Sequence, residues 1–135
     1  MSNDAVERAL GLLGTRFRAQ GRDPQLGLDC LGLAMFAYRI DGGTIRRDYR
    51  LSGDHRRELM AGLASGFRRV SPSCERAGDL MLIKVAADQN HLAIRTPAGF
   101  VHADARRGVV ETPGKPAWPV VATFRRRTRV ARGRG

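Results

Sequence analysis

"LGLDCLGLAM", residues 26–35, is where a turn-rich segment becomes an unbroken apolar run, and it holds one of only two cysteines in the chain. Upstream, "GRDPQLG" at 21–27 reads as loop from its Gly, Asp and Pro content. Downstream, residues 30–40 are apolar at nearly every position until Arg39, which predicts a helix buried on most sides, and "DGG" at 41–43 ends it. Cys30 therefore falls in the first turn of a buried helix, directly after Asp29. Two readings compete. Cys30 is a small packing residue, or it is a thiol held for chemistry. In the second case the unpaired N–H groups and the helix dipole lower a thiol pKa from about 8.5 to roughly 3.5–7.5. The same N–H groups supply part of an oxyanion hole.

Working outward, the first half reads helical. Asn3 caps a helix in which Val6, Leu10 and Leu13 share a side, ending near Gly14; a third helix starts with Ser52 as cap and continues through "HRRELMAGLASGF". The second half changes period. Short β-branched runs at 79–85, 91–96, 99–104, 108–112 and 118–124 are separated by turn signals. Helices followed by a run of strands predict an α+β domain, with N-terminal helices packed on a five- to six-stranded antiparallel sheet. Trp118 is expected in core or rim packing.

The 135 residues suit one domain, 42% hydrophobic and 27% charged, as in a globular chain. No apolar window approaches the roughly 20 residues of a membrane-spanning helix, so membrane insertion is not expected. The N-terminal stretch carries acidic residues and no basic n-region, unlike a secretory signal; the chain is expected to be cytoplasmic as synthesised. Cys30 and Cys74 do not make a disulfide framework and are expected to be reduced. A metal site is not expected, because no CxxC pair exists and His55, His91 and His102 lack metal-ligand spacing.

Charge is the compositional anomaly: 24 Lys plus Arg against 13 Asp plus Glu give +11. Such a surface favours an anionic partner. Residues 125–135 supply six arginines and no acid, and read as a basic, disordered tail after a domain of residues 1–124. That tail suits nucleic acid, another anionic polymer or a partner protein. It lacks interleaved aromatics, so nucleic acid is not the favoured partner.

A cysteine nucleophile needs a base, and the base needs a group to hold it. "HLAIRTPAGFVHAD" reads as a hairpin turning through "TPAG" with Arg95 opposite Phe100. His102 then lies opposite Ala93 and Asp104 opposite His91, so the two histidines share a face as diagonal neighbours. A slip of one residue would separate them. The set is Cys30, His91 and His102, with Asp104 as rival for the third place. His55, flanked by arginines, reads as surface, and Cys74 as a loop cysteine outside the chemistry.

These residues resemble the NlpC-type cell-wall cysteine peptidases, a compact papain-like group. "LGTRFRAQGRDPQLGLDCLGL" resembles the segment that leads to Asp-Cys and a helix start with Gly-Leu. "RAGDLMLI" resembles the family's Pro-Gly-Asp-Leu strand opening, with Ala77 in place of proline. "NHLAIRTPAGFVHAD" resembles its two histidine-bearing strands. The match spans about residues 5–112. The resemblance implies a papain-like fold and a hydrolase of peptidoglycan peptide stems, acting between D-glutamate and the diamino acid without a cofactor. Cys30 would be the nucleophile, His91 the general base and acid, and His102 the group orienting His91. Asp29 would hold the substrate's free amine.

Phe17 stands where the family usually has tyrosine near the substrate, and Leu31 where serine commonly follows the nucleophile, which affects substrate preference more than catalysis. Without a signal peptide, the resemblance to small peptidases of phage tails and gene-transfer-agent particles implies delivery to the periplasm by such a particle. The tail would then dock to a tail protein or to anionic wall polymer. Two alternatives stay open. One is a non-catalytic basic assembly or nucleic-acid module on a papain-like shell. The other is an amidase or acyltransferase acting on another small substrate.

Overall fold

The computed structural model describes residues 4–40, 66–86 and 89–127. The expected Asn3 cap, the third helix from Ser52 with His55, and residues 128–135 lie outside that description. Helix α1 (Asp4–Leu10) has Asp4 and Glu7 in its first turn and Arg8 in its last, each sign matching the dipole. Val6 and Ala9 are buried, and Leu12 follows them inward. Leu13, expected on the buried side, is 44% exposed. The helix stops at Leu10 and the chain turns through Gly14 at φ 93°, so the helical spacing no longer applies to Leu13.

The expected loop folds on itself as a small hairpin, β1 (Arg22–Asp23) paired antiparallel with β2 (Gly27–Leu28). Gly27 sits at φ 127°, a conformation open mainly to glycine. Helix α2 (Cys30–Tyr38) follows, and all but Met35 and Phe36 of its residues are buried, as an apolar run without amphipathic spacing requires. It ends two residues earlier than the apolar pattern suggests. Arg39 adopts the left-handed conformation at φ 55°, and Ile40 N–H bonds Met35 O at 2.9 Å, a closing 6→1 bond. Leu31 and Leu33 are fully buried, each worth about 1.5–3 kcal/mol relative to exposure.

The remaining strands are β3 (Phe67–Val70), β4 (Leu80–Ala86), β5 (Gln89–Arg95), β6 (Gly99–Asp104), β7 (Gly108–Pro113) and β8 (Val120–Arg126). They form a six-stranded antiparallel sheet in the order β3-β8-β4-β5-β6-β7. Strand β3 begins at Phe67, the end of the segment read as helical; Phe67 pairs with Arg126 and buries its ring edge-to-face on Tyr38 at 5.0 Å. Strand β8 runs past the expected domain boundary at 124. Arg125 is held in it by the Asp79 carboxylate, so the first residues of the basic stretch belong to the sheet. Trp118 is 41% exposed and lies outside the core.

Strand alternation divides the sheet. Leu80, Leu82, Leu92, Ile94, Val101 and Phe124 pack with α1 and α2 in the main core, whereas Met81, Ile83, Ala93 and Phe100 form a second buried cluster on the reverse face. Arg8 Nε donates to Ala37 O and ties α1 to α2, while Tyr38 Oη donates to Gly78 O at 2.7 Å and ties α2 to the start of β4. Burial, with Asp79 nearby, pushes the Tyr38 phenol well above its ordinary range.

Candidate active site

The start of α2 is fixed by Asp29 and by glycines. Asp29 is the N-cap: Oδ1 accepts from Gly32 N at 2.8 Å and from Arg22 Nη1 at 2.9 Å, and Oδ2 accepts from Gln20 N at 2.9 Å. A Cβ on Gly32 would lie 2.1 Å from Gly21 O, so only glycine lets the preceding loop press against the first helical turn. Phe17 bridges to Leu28 and packs partly buried against the core beside this loop.

Cys30 opens the helix at 7% exposure. The backbone N–H of Leu92, the residue after His91, lies close enough to this thiol to pull its pKa down. The ladder explains why that amide is available. Lys84 N–H bonds Pro119 O on the β8 side, so by antiparallel alternation Leu92 N–H points toward β6. The β5–β6 register is Arg95↔Phe100, Ile94↔Val101 and Ala93↔His102, and there it stops. The amide that would have bonded β6 acts on the thiol instead.

Helix-start placement does not activate the thiol in this chain. Burial first, and the neighbouring Asp29 charge second, push Cys30 up to about 12 against the lowering pull of the Leu92 amide, Arg22 and its own N–H. The expected depressed pKa is thus reversed, because desolvation of a thiolate outweighs partial charges in the first turn.

The two histidines meet as the hairpin spacing suggested. His91 Nε2 and His102 Nδ1 are 3.0 Å apart, with the rings edge to face at 5.2 Å. His102 Nε2 lies 3.3 Å from Thr112 Oγ1 on β7, and the Phe100 ring flanks His102 at 5.1 Å. Burial lowers His91 to about 4, with His102 adding to the effect and Asp104 opposing it. Burial likewise lowers His102, again opposed by Asp104.

Asp104, the rival for the third place, pairs with Gly108 rather than His91 because the β5–β6 ladder ends early. Its carboxylate caps the following turn, accepting from Arg106 N at 2.8 Å and Arg107 N at 3.0 Å, which hold it down to about 2. Cys74 is exposed, and its carbonyl accepts from Arg125 near the Asp79 end of β4, whereas His91 pairs with Ile83 toward the other end. Among the described residues no group of three His, Cys, Asp or Glu side chains is placed to hold a metal. No described helix is long and apolar enough to cross a membrane. Arg22, the Leu92 amide and Thr112 were not singled out from the sequence. Only Thr112 had a readable signal: a tight β6–β7 hairpin about "ARRG" puts it opposite Phe100.

No protein-family model matches the sequence, and no curated protein matches it. Solved structures do resemble it. The NlpC/p60 domain of the peptidoglycan hydrolase SagA superposes with TM-score 0.57 at 23% identity, over 84% of this chain and 90% of that one. The fold is of the NlpC/p60 type. A similar-to-lipoprotein NLP/P60 protein from Staphylococcus aureus gives 0.58 at 22% identity, covering 91% of this chain and 40% of its own. The peptidoglycan hydrolase RipB from Mycobacterium tuberculosis gives 0.59 at 23% identity, covering 91% of this chain and 62% of its own. Within the NlpC/p60 architecture, Cys30 at the start of the buried helix and the histidine pair on β5 and β6 form the candidate active site.

Proposed function

We propose that the chain is a cysteine peptidase of peptidoglycan peptide stems, cleaving the amide between D-glutamate and the diamino acid. The observation that supports this reading is the hydrogen-bonded His91–His102 pair on β5 and β6, with the amide of the next residue, Leu92, pulling the Cys30 thiol pKa down. The peptidoglycan hydrolases SagA and RipB share the fold and suggest the substrate class.

In the proposed mechanism the thiol of the unliganded site keeps its proton. His91 Nε2 is engaged by His102, so Nδ1 is the nitrogen that takes the Sγ proton as sulfur attacks the amide carbonyl. Backbone N–H groups at the start of α2 receive the oxyanion. His91 returns the proton to the leaving amine, the C–N bond breaks, and a thioester to Cys30 remains. Water, deprotonated by His91, then releases the acid and regenerates the thiol. Phe17 borders the substrate. Asp29 receives the substrate amine in exchange for the Arg22 guanidinium that now occupies Oδ1. Delivery by a phage-like particle to the periplasm accords with the sequence resemblance around "DCLGL", and the arginine-rich tail suits a tail protein or anionic wall polymer.

One observation favours a second reading. A cysteine at 7% exposure, pushed up to about 12, is also what a packing residue shows, and a +11 chain on a papain-like shell suits an assembly or nucleic-acid role. Stem peptides carrying the γ-linked bond, beside α-linked controls, separate the readings. Hydrolysis of the γ-linked peptide, lost in Cys30→Ala and in His91→Ala, is expected. Equal turnover of both linkages removes wall specificity in favour of a general amidase or acyltransferase. Absence of turnover, with salt-dependent DNA binding that survives Cys30→Ala, moves the function to the second reading.

A further inference from the structure

The chain of groups His91, His102 and Thr112 contains one hydrogen per bond, and where each hydrogen sits decides whether His91 is a base. A neutral imidazole has one N–H and one lone pair. When His102 donates from Nε2 to Thr112 Oγ1, its Nδ1 must accept from His91 Nε2, and His91 keeps its lone pair at Nδ1. When Thr112 donates instead, both bonds reverse and the proton on His91 sits at Nδ1, where it blocks uptake from a thiol. Once His91 carries two protons, only the first arrangement preserves both bonds.

The backbone holds Thr112 in place for this. The β6–β7 ladder is unbroken from Gly99↔Pro113 to Asp104↔Gly108, which puts Thr112 opposite Phe100 on the same face as His102. A Cβ on Gly99 would lie 1.9 Å from Thr112 O, so the two strands are locked closely at this point. His102 is 4% exposed and Phe100 flanks its ring, so its outer nitrogen has little access to water in place of Thr112. Thr112 is only half-buried, and its own hydroxyl hydrogen has solvent to go to. The charged groups acting on the pair are Asp104, which favours positive charge on both rings, and Arg107, which opposes it on His102.

We propose that Thr112 is a positioning residue for the base: its Oγ1 accepts the Nε2–H of His102 and so holds His91 with its lone pair at Nδ1. The hydrogen-bond direction stands on the geometry, and its catalytic consequence rests on the cysteine-peptidase reading.

Ring-nitrogen NMR of 15N-histidine-labelled protein at neutral pH, in the parent, Thr112→Val and Thr112→Ser, tests it beside hydrolysis of γ-linked stem peptide. The parent is expected to show both histidines protonated at Nε2. Thr112→Val, nearly isosteric and on a half-buried edge strand, is expected to lose the single His102 tautomer. Its kcat should fall about tenfold at unchanged KM, the scale of one neutral hydrogen bond. Thr112→Ser restores both readouts. A parent His102 protonated at Nδ1, or a Thr112→Val ring pattern identical to the parent, overturns the proposal. If Thr112→Val does not fold, failure of Thr112→Ser to keep the parent pattern and kcat overturns it as well. A parent that hydrolyses nothing yet shows the expected pattern, lost in Thr112→Val, supports the bond direction and sinks the peptidase reading alone.

Discussion

Asp29 and Asp79 occupy similar positions and do different things. Each precedes the element it anchors, Asp29 at α2 and Asp79 at β4, and each accepts from backbone N–H and from one arginine. Asp79 is 1% exposed and takes a two-pronged contact from Arg125, Nε to Oδ1 and Nη2 to Oδ2, both at 2.9 Å. Asp29 takes a single prong from Arg22, and the residue beside it is the Cys30 thiol, whose ionisation it opposes. The same inventory of bonds therefore closes a core at one place and sets the charge around the Cys30 thiol at the other. Burial and the next residue, rather than the carboxylate itself, decide which.

The largest test of that contrast is Asp79→Ala, which leaves Arg125 without its partner in a largely buried position. A loss of about 3–5 kcal/mol in urea unfolding is expected, and a loss under about 1 kcal/mol would reduce the pair to a surface contact. Gly32→Ala probes the Asp29 side, because its Cβ would meet Gly21 O at 2.1 Å. We expect about 2–3 kcal/mol of destabilisation from overpacking; a neutral outcome would mean that the loop is not pressed on the helix start.

His91 makes the site itself a pH liability. Its folded pKa of about 4 lies below the ordinary 6.5, so the unfolded chain takes up the proton first and stability falls as pH drops from 6.5 toward 4. About 2 kcal/mol should be lost between pH 7 and 4.5, and His91→Gln should flatten that slope in urea midpoints. An unchanged slope would assign it to the neighbouring His102. The smallest change in stability is expected for Asp29→Asn, since asparagine caps a helix as well as aspartate and its amide oxygen still accepts from Arg22 Nη1. Its effect appears in the pH dependence of Cys30 alkylation by iodoacetamide, with Cys74→Ser as background. The thiol should titrate below its parent value because an upward push has been removed, and an unmoved titration would break the distinction between the two carboxylates.

Local chemistry wrote much of this into the chain. The apolar run after Asp29 was readable as a buried helix, because burial on most sides leaves a helix no polar stripe to keep. The "TPAG" turn fixed the pairing of Arg95 with Phe100, and with it the meeting of His91 and His102, because side chains alternate along a strand. The β1–β2 hairpin and β3 were not readable. The first is two residues per strand, and Phe67 follows a segment with helical spacing, so only partners distant in sequence make either one a strand.

The sequence by itself determined the α+β order of elements, the cysteine at a helix start and the common face of two histidines, all of them consequences of spacing within about ten residues. Tertiary structure alone decided where β5 leaves β6, so that Asp104 does not pair with His91 and the Leu92 amide comes beside a thiol. It also reversed the expected thiol pKa. Desolvation is a sum over everything packed around an atom, and no run of neighbours in sequence contains that sum.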